Sequence, residues 1–299
     1  MKKENLLIIG SGPAGLTAGI YAARAGLNPL VIEGMQSGGQ LTETAEVENF
    51  PGFAESVSGL DLMTSMRSQA ERAGVRFAMD AITAVDFSVT PFRLTGMTDI
   101  YETKCVIIAT GATPRWTGLP GEDTYKYRGI SSCAVCDGNF HKGKDVAVIG
   151  GGDTALADAI HLAKICATVF LIHRRDSFRG TKVLVDRVMG TPNVKILMNT
   201  EVLSFEGNGT KLEALRISSG ETLPVSGAFV AIGHTPQTDF LKGAIALDEN
   251  GYVRTEDTCT GIPGVFVAGD CANPIYKQAV VAASSGAQAA QEAQNFLSA

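Results

Sequence analysis

Aromatic residues are scarce in this sequence, at 7% of 299 positions with a single tryptophan. Charged residues are few as well, at 19%. The formal net charge is −6, so the chain lacks the basic excess that marks most nucleic-acid binders. No apolar run approaches the roughly 18 residues of a membrane-spanning helix. At the N-terminus Lys2 and Lys3 are followed only by Leu6 to Ile9 before Gly10, a run too short for the core of a signal peptide. The expectation is a cytoplasmic protein with neither a nucleic-acid nor a membrane partner. Cysteine is sparse too, and none precedes Cys105. Six in 299 do not make a disulfide scaffold, and a reducing compartment keeps most of them as thiols. No second Cys-x-x-Cys accompanies the one at Cys133 and Cys136, and His141 is the only imidazole near it, so no metal site is expected.

Glycine is what the chain has in excess: 34 residues, about 11% against a usual 7%. The length suits about two domains. The glycines fall in two similar places. Asn5 to Ile9 reads as a strand, Gly10-Ser11-Gly12-Pro13-Ala14-Gly15 as a turn, Ala14 to Ala25 as a helix and Pro29 to Ile32 as a second strand, closed by Glu33. Asp145 to Ile149, Gly150-Gly151-Gly152-Asp153-Thr154-Ala155, Leu156 to Ile165 and Thr168 to Ile172 repeat the pattern, closed by His173. Gly10 to Glu33 and Gly150 to His173 both span 23 positions. A second echo follows each unit. Val106 to Pro114 and Ala228 to Pro236 are buried-type strands ending in Ala-x-Gly-x-Thr-Pro. Two related Rossmann-like units account for both repeats. The tail shows a hairpin at Leu247 to Thr255 around Asn250-Gly251, a strand at Gly264 to Asp270 and an Ala-rich helix at Gln278 to Leu297. It is expected to return to the first unit.

Each turn suits a pyrophosphate. Gly10 permits the tight turn, Gly12 lets the phosphates approach the backbone, and Gly15 allows close helix–strand packing. The helix N-terminus then faces the anion with free N–H groups. Glu33 accepts from a ribose hydroxyl and repels a 2′-phosphate, which suits FAD or NAD. In the second unit His173, Arg174 and Arg175 stand at the ribose position, with Arg179 on the same expected helix face as Arg175. Guanidinium groups pair with phosphate oxygens, which points to NADPH.

In Ser131-Ser132-Cys133-Ala134-Val135-Cys136-Asp137 either serine is a candidate cap for a helical turn. Cysteines three apart then share a face. A redox disulfide, half a zinc site and two structural thiols all remain readings of the pair. The first fits best beside two dinucleotide sites. Asp137 can donate a proton to a leaving thiolate if its surroundings raise its pKa. Cys105, Cys166 and Cys259 read as inert, and Cys271 has no assigned role.

These motifs resemble the low-molecular-weight thioredoxin reductases over nearly the whole chain. The likeness includes Gly38-Gly39-Gln40, Val47-Glu48-Asn49-Phe50-Pro51-Gly52, Cys133-Ala134-Val135-Cys136-Asp137-Gly138, His173-Arg174-Arg175-Asp176 and Val267-Ala268-Gly269-Asp270 with Gln278-Ala279. The resemblance implies an α/β protein of two Rossmann-like domains. An NADPH domain (116–241) is inserted into a discontinuous FAD domain (1–115 and 242–299). It implies a homodimer that passes electrons from NADPH through FAD and the Cys133/Cys136 disulfide to thioredoxin. By the same carry-over Gly10, Ser11, Gly12, Pro13, Ala14, Gly15, Glu33, Gly34, Gly38, Gly39, Gln40, Asn49, Thr110, Gly111, Asp270, Gln278 and Ala279 hold FAD. Gly150, Gly152, Asp153, Thr154, Ala155, His173, Arg174, Arg175 and Arg179 hold NADPH. Cys136 faces the flavin, Cys133 attacks thioredoxin, Asp137 is the acid, and a domain rotation lets disulfide and nicotinamide take turns. Glu33 stands where some members carry a small residue, and Asp153 where many carry Asn. The larger disulfide reductases are disfavoured, because their Cys pair lies near the first unit and this chain ends 29 residues after Asp270. A ferredoxin-driven relative, a ferredoxin–NADP reductase and a non-enzymatic FAD redox sensor are the competing functions.

Overall fold

A computed structural model describes residues 1–299. The chain divides into two compact units, Met1–Thr113 with Thr235–Ala299, and Pro114–His234. No helix is long and apolar enough to cross a membrane.

The first unit is built on short aliphatic runs. Leu6 to Ile9, Leu30 to Ile32 and Val106 to Ile108 are buried on both faces, which is the pattern of parallel strands covered from two sides. The strand Lys2–Ile9 lies between Leu30–Ile32 and Ile100–Ile108 and is parallel to both. Arg76–Ala78 extends one edge. The strand Ile100–Ile108 has two further partners along its length. Its first half pairs antiparallel with Phe92–Gly96, and its last three residues pair parallel with Val265–Val267. The C-terminal tail thus enters the middle of a sheet begun at residue 2. Helices Pro13–Arg24, Gly59–Ala73 and Ala279–Ser298 cover one face, where Leu16, Ile20, Leu62, Met63, Ala289 and Ala293 are buried. Leu241, Ile245 and Val253 help bury the other face.

The expected hairpin is present in reduced form. Leu247 bridges Val253, and Asp248 Oδ1 accepts from the amides of Asn250 and Tyr252, both at 2.8 Å. The strand expected over Gly264 to Asp270 stops at Val267, and Gly269–Cys271 forms a 3₁₀ turn.

The second unit repeats the scheme with fewer strands. Val194–Leu197, Thr168–Ile172, Asp145–Ile149, Gly227–Val230 and Ile130–Ser131 form a parallel sheet in that order. Helices Asp153–Leu162 and Lys182–Met189 cover one face. A three-stranded antiparallel sheet, Val202–Gly207, Leu212–Ile217 and Thr222–Pro224, covers the other.

The repeat holds down to single atoms. A Cβ on Gly10 would sit 2.3 Å from the Ala109 carbonyl oxygen, and one on Gly150 would sit 2.4 Å from that of Ala231. Gly10 N donates to Ile32 O at 2.8 Å, and Gly150 N to Ile172 O at 3.1 Å. Both turns therefore need glycine because a neighbouring strand occupies the side-chain position.

One polar hub ties the far edge of the first sheet. Asp80 is buried, yet it accepts from the amides of Ala81 (2.8 Å), Thr98 and Asp99 (both 3.1 Å) and from the Tyr101 hydroxyl (2.9 Å). Burial alone would raise its pKa, but these donors hold it below the usual carboxylate range. Asp80→Ala should cost about 2–4 kcal/mol of stability, because three amides and the hydroxyl of a fully buried tyrosine lose their acceptor. Chemical denaturation checks this, and a loss below about 1 kcal/mol would show that water replaces the carboxylate.

Candidate functional site

Each Gly turn launches a helix without a side-chain cap. Gly12 is the N-cap of Pro13–Arg24 and Gly152 that of Asp153–Leu162, and in neither does a side chain bond the first amides. Those N–H groups stay available to an anion. In the first unit Ser11 fixes the loop that follows the second strand. Its hydroxyl donates to Glu33 O (3.1 Å) and accepts from Gly38 N (3.0 Å). A Cβ on Gly39 would lie 3.4 Å from Gly12 Cα, so the Gly38-Gly39 segment passes directly against the turn.

Other expected contacts of this unit converge. Asn49 Nδ2 donates to Gln278 Oε1 at 3.2 Å, joining residues 229 positions apart. Gln278 is the N-cap of Ala279–Ser298. A Cβ on Gly269 would lie 3.0 Å from Ala14 Cβ, so the turn carrying Asp270 sits against the start of the first helix. Thr110 Oγ1 is a buried hydroxyl oxygen without a hydrogen-bond partner. Burial pushes the Asp270 carboxyl up to about 6, and the Lys277 charge opposes this only in part. An orphan hydroxyl, an under-stabilised carboxylate and uncapped amides fit a ligand that carries hydroxyls and a pyrophosphate.

In the second unit the structure corrects three expectations. Arg175 and Arg179 do not share a helix face, because residues 173–181 form an irregular loop before the helix Lys182–Met189. The loop is tied back to the Gly turn instead. Arg179 N donates to Gly151 O (2.8 Å) and Thr181 N donates to Asp153 Oδ1 (2.6 Å). The acid at position 153 therefore serves as an anchor for the loop. His173 is not one of the cations. It is buried under Gly151, and its Nε2–H donates to Ser177 O at 3.0 Å. Burial lowers its pKa, and the nearby arginines lower it further. Arg174, Arg175 and Arg179 are left as three exposed guanidinium groups around a neutral ring.

Cys133 and Cys136 form a disulfide with Cα atoms 5.3 Å apart. Both are half-buried. The third correction is the cap: neither Ser131 nor Ser132 caps the short helix Ala134–Asp137. Cys133 does so itself, its Sγ accepting from Cys136 N at 3.2 Å. Ser131 Oγ accepts from Cys133 N instead, at 3.0 Å. Burial raises the Asp137 carboxyl above its ordinary range, against a smaller opposing effect from the Ser131 hydroxyl. Cys105, Cys166 and Cys271 are buried thiols, and Cys259 is an exposed one.

Residues 4–286 match the model of the pyridine nucleotide-disulphide oxidoreductases. The chain belongs to that family. Flavin and pyridine-nucleotide use follow from membership. A protein of Vibrio cholerae named thioredoxin reductase is 45% identical, over 99% of this chain and 98% of its own. A Pseudomonas fluorescens protein named glucosaminate ammonia-lyase is 42% identical, over 99% and 97%. The solved thioredoxin reductase of Giardia duodenalis superposes with a TM-score of 0.95 at 38% identity, covering both chains completely.

Sequence reasoning missed Arg67, Ser37 and Ser131, which contact Glu33 or Cys133. The first two belong to no motif. Ser131 was read as a helix cap only.

The Asp270 shift makes a pH prediction. The unfolded group titrates near about 3.9. Folding therefore takes up a proton between about pH 4 and 6, and stability falls as pH rises through that window. The flavin-free protein should lose up to about 3 kcal/mol across it relative to Asp270→Asn, the value of about two pKa units. Parallel pH series of denaturation for the two proteins check this, and coincident profiles would reject the buried-carboxyl assignment.

Proposed function

We propose that this chain is a thioredoxin-disulfide reductase that uses FAD in the Met1–Thr113/Thr235–Ala299 unit and NADPH in the Pro114–His234 unit. The observation that carries the reading is a half-buried disulfide in the same unit as a Gly turn flanked by three exposed arginines. When bound, NADPH supplies an electron pair and FAD relays it to a disulfide.

The chain's own residues supply the rest. Gly10 to Gly15 bind the FAD pyrophosphate through uncapped amides, Glu33 takes the adenosine ribose, and Thr110 and Asp270 meet ligand hydroxyls. Gly150 to Ala155 bind the second pyrophosphate, and Arg174, Arg175 and Arg179 bind the 2′-phosphate. Two electrons break the Cys133–Cys136 bond. One sulfur leaves as a thiolate, and the other takes a proton, which Asp137 is suited to hold because burial keeps its carboxyl protonated to higher pH. Charge on Cys133 Sγ meets the Cys136 amide, which favours Cys133 as the attacking thiolate. It attacks the thioredoxin disulfide, forming a mixed disulfide and expelling one thioredoxin thiolate. Cys136 then attacks Cys133, regenerates the internal bond and releases the thioredoxin dithiol. Ammonia elimination, suggested by the name of one relative, would leave this disulfide without a role.

Anaerobic addition of NADPH should bleach the flavin absorbance, and thioredoxin should restore it through many turnovers. A sensor would stop after one or two equivalents. Cys133→Ser should keep its flavin and its bleaching by NADPH but lose thioredoxin reduction down to the background rate. Substantial residual turnover would remove Cys133 from the attacking role. Replacing Arg174, Arg175 and Arg179 together by Gln should raise the KM for NADPH about 100-fold, the value of lost charge-assisted bonds at an exposed site, and leave NADH nearly unaffected. Equal losses with both nucleotides would reject the phosphate assignment.

A further inference from the structure

We propose that Arg67 is a positioning residue for the adenosine end of the flavin dinucleotide: it turns the Glu33 carboxylate so that Oε2 alone faces a ribose hydroxyl. This rests on the reading of the Gly10 turn as the FAD site.

Glu33 closes the strand Leu30–Ile32, and its amide donates to Ala78 O at 3.0 Å. Its side chain is only 5% exposed. Arg67 Nη1 and Ser37 Oγ both donate to Oε1 of that carboxylate, and neither bonds Oε2. The arginine is itself restrained from three directions. It arrives from the helix Gly59–Ala73, its guanidinium carbon lies 4.1 Å from the Phe77 ring centroid, and its Nε donates to Glu71 Oε1 at 3.0 Å. Phe77 sits on the strand adjacent to Leu30–Ile32, so ring, cation and carboxylate follow one another along the same sheet end.

The chemistry of discrimination changes as a result. A lone carboxylate would exclude a 2′-phosphate by charge. Arg67 offsets the Glu33 charge only in part, because Glu71 shares the same guanidinium, so charge is one discriminator and not the only one. An oriented oxygen that can only accept still selects a hydroxyl, which donates, over a phosphate, which at neutral pH mainly accepts. Fixing one oxygen with two donors also removes the carboxylate's rotational freedom before the ligand arrives.

Flavin-free protein should be titrated with FAD, with FAD lacking the 2′- or the 3′-hydroxyl of its adenosine ribose, and with FMN, following flavin fluorescence. The native protein should bind FAD about tenfold more tightly than one deoxy analogue, the value of one hydrogen bond to a charged group. Arg67→Met keeps a stem over Phe77 and removes the guanidinium. It should weaken FAD about 10- to 100-fold and reduce the discrimination to about twofold. Arg67→Lys should restore most of it, and FMN binding should not change. Discrimination undiminished in Arg67→Met, or an equal loss for FMN, would overturn the proposal. Should Arg67→Met not fold by circular dichroism, Arg67→Leu decides, and an unaltered preference for FAD over both deoxy analogues would overturn the proposal. Native protein that takes up no FAD would instead defeat the assignment of the site, a separate outcome.

Discussion

Two backbone contacts set the conditions for everything else. In each half, the strand that ends in the Gly turn lies parallel to a second strand, Ile9 opposite Ile108 and Ile149 opposite Val230. The carbonyl just beyond that second strand fills the place of a side chain at Gly10 or Gly150. A larger residue would force the two strands apart at the point where the helix starts. The helix would lose its seat on the sheet, and its first amides would lose their aim. Those amides are also uncapped, which leaves the helix ends under-satisfied when no anion is bound. The same sacrifice appears twice at the same spacing, so the two halves share one backbone device.

What differs is the electrostatics at the end of the second strand. In the first unit a buried carboxylate is paired with Arg67, a cation supplied by a helix that begins 26 residues later. In the second, position 173 holds a neutral imidazole that fills the space under Gly151, while the charges move out to a loop. One backbone scheme thus presents a buried, arginine-paired carboxylate in one unit and exposed guanidinium groups in the other. The loop is held at three points, Ser177 O by His173 Nε2, Arg179 N by Gly151 O and Thr181 N by Asp153 Oδ1. An acid at position 153 looks unfavourable near a pyrophosphate when read along the chain. In three dimensions its oxygen is committed to the Thr181 amide.

Local patterns made much of this legible. The strands Asp145–Ile149 and Thr168–Ile172 each carry four consecutive apolar residues, and the structure gives the same bounds. The equal 23-residue offsets picked out Glu33 and His173, which directly follow the second strand of each unit. Legibility ended where the partner is distant in sequence or the backbone is irregular. Nothing near Arg67 marks it as the partner of a residue 34 positions earlier. The helical spacing of Arg175 and Arg179 was misleading because Gly180 follows them, and a Cβ there would lie 2.4 Å from Leu156 Cδ1. The chain must pass tightly over the first turn of the helix Asp153–Leu162, and it does so as an irregular loop. The cap of the redox turn was misassigned because serine ranks high at that position, whereas here the cysteine sulfur itself receives the amide.

The redox turn has one more dependence, and it bears on mechanism. Gly138, directly after Asp137, is packed so closely on the helix Asp153–Leu162 that a Cβ would lie 2.9 Å from Leu162 Cδ2 and 3.0 Å from Ile165 Cδ1. The disulfide turn therefore rests on the C-terminal end of the helix whose N-terminal end forms the second dinucleotide turn. Nine residue steps at about 1.5 Å each separate the two ends, about 14 Å of rigid helix. Under the proposed function the nicotinamide turn and the disulfide turn cannot be displaced independently, because moving one carries the other. A device that delivers electrons from one to the other then needs a carrier held outside this helix. Under the same proposal the flavin assigned to the other unit is that carrier.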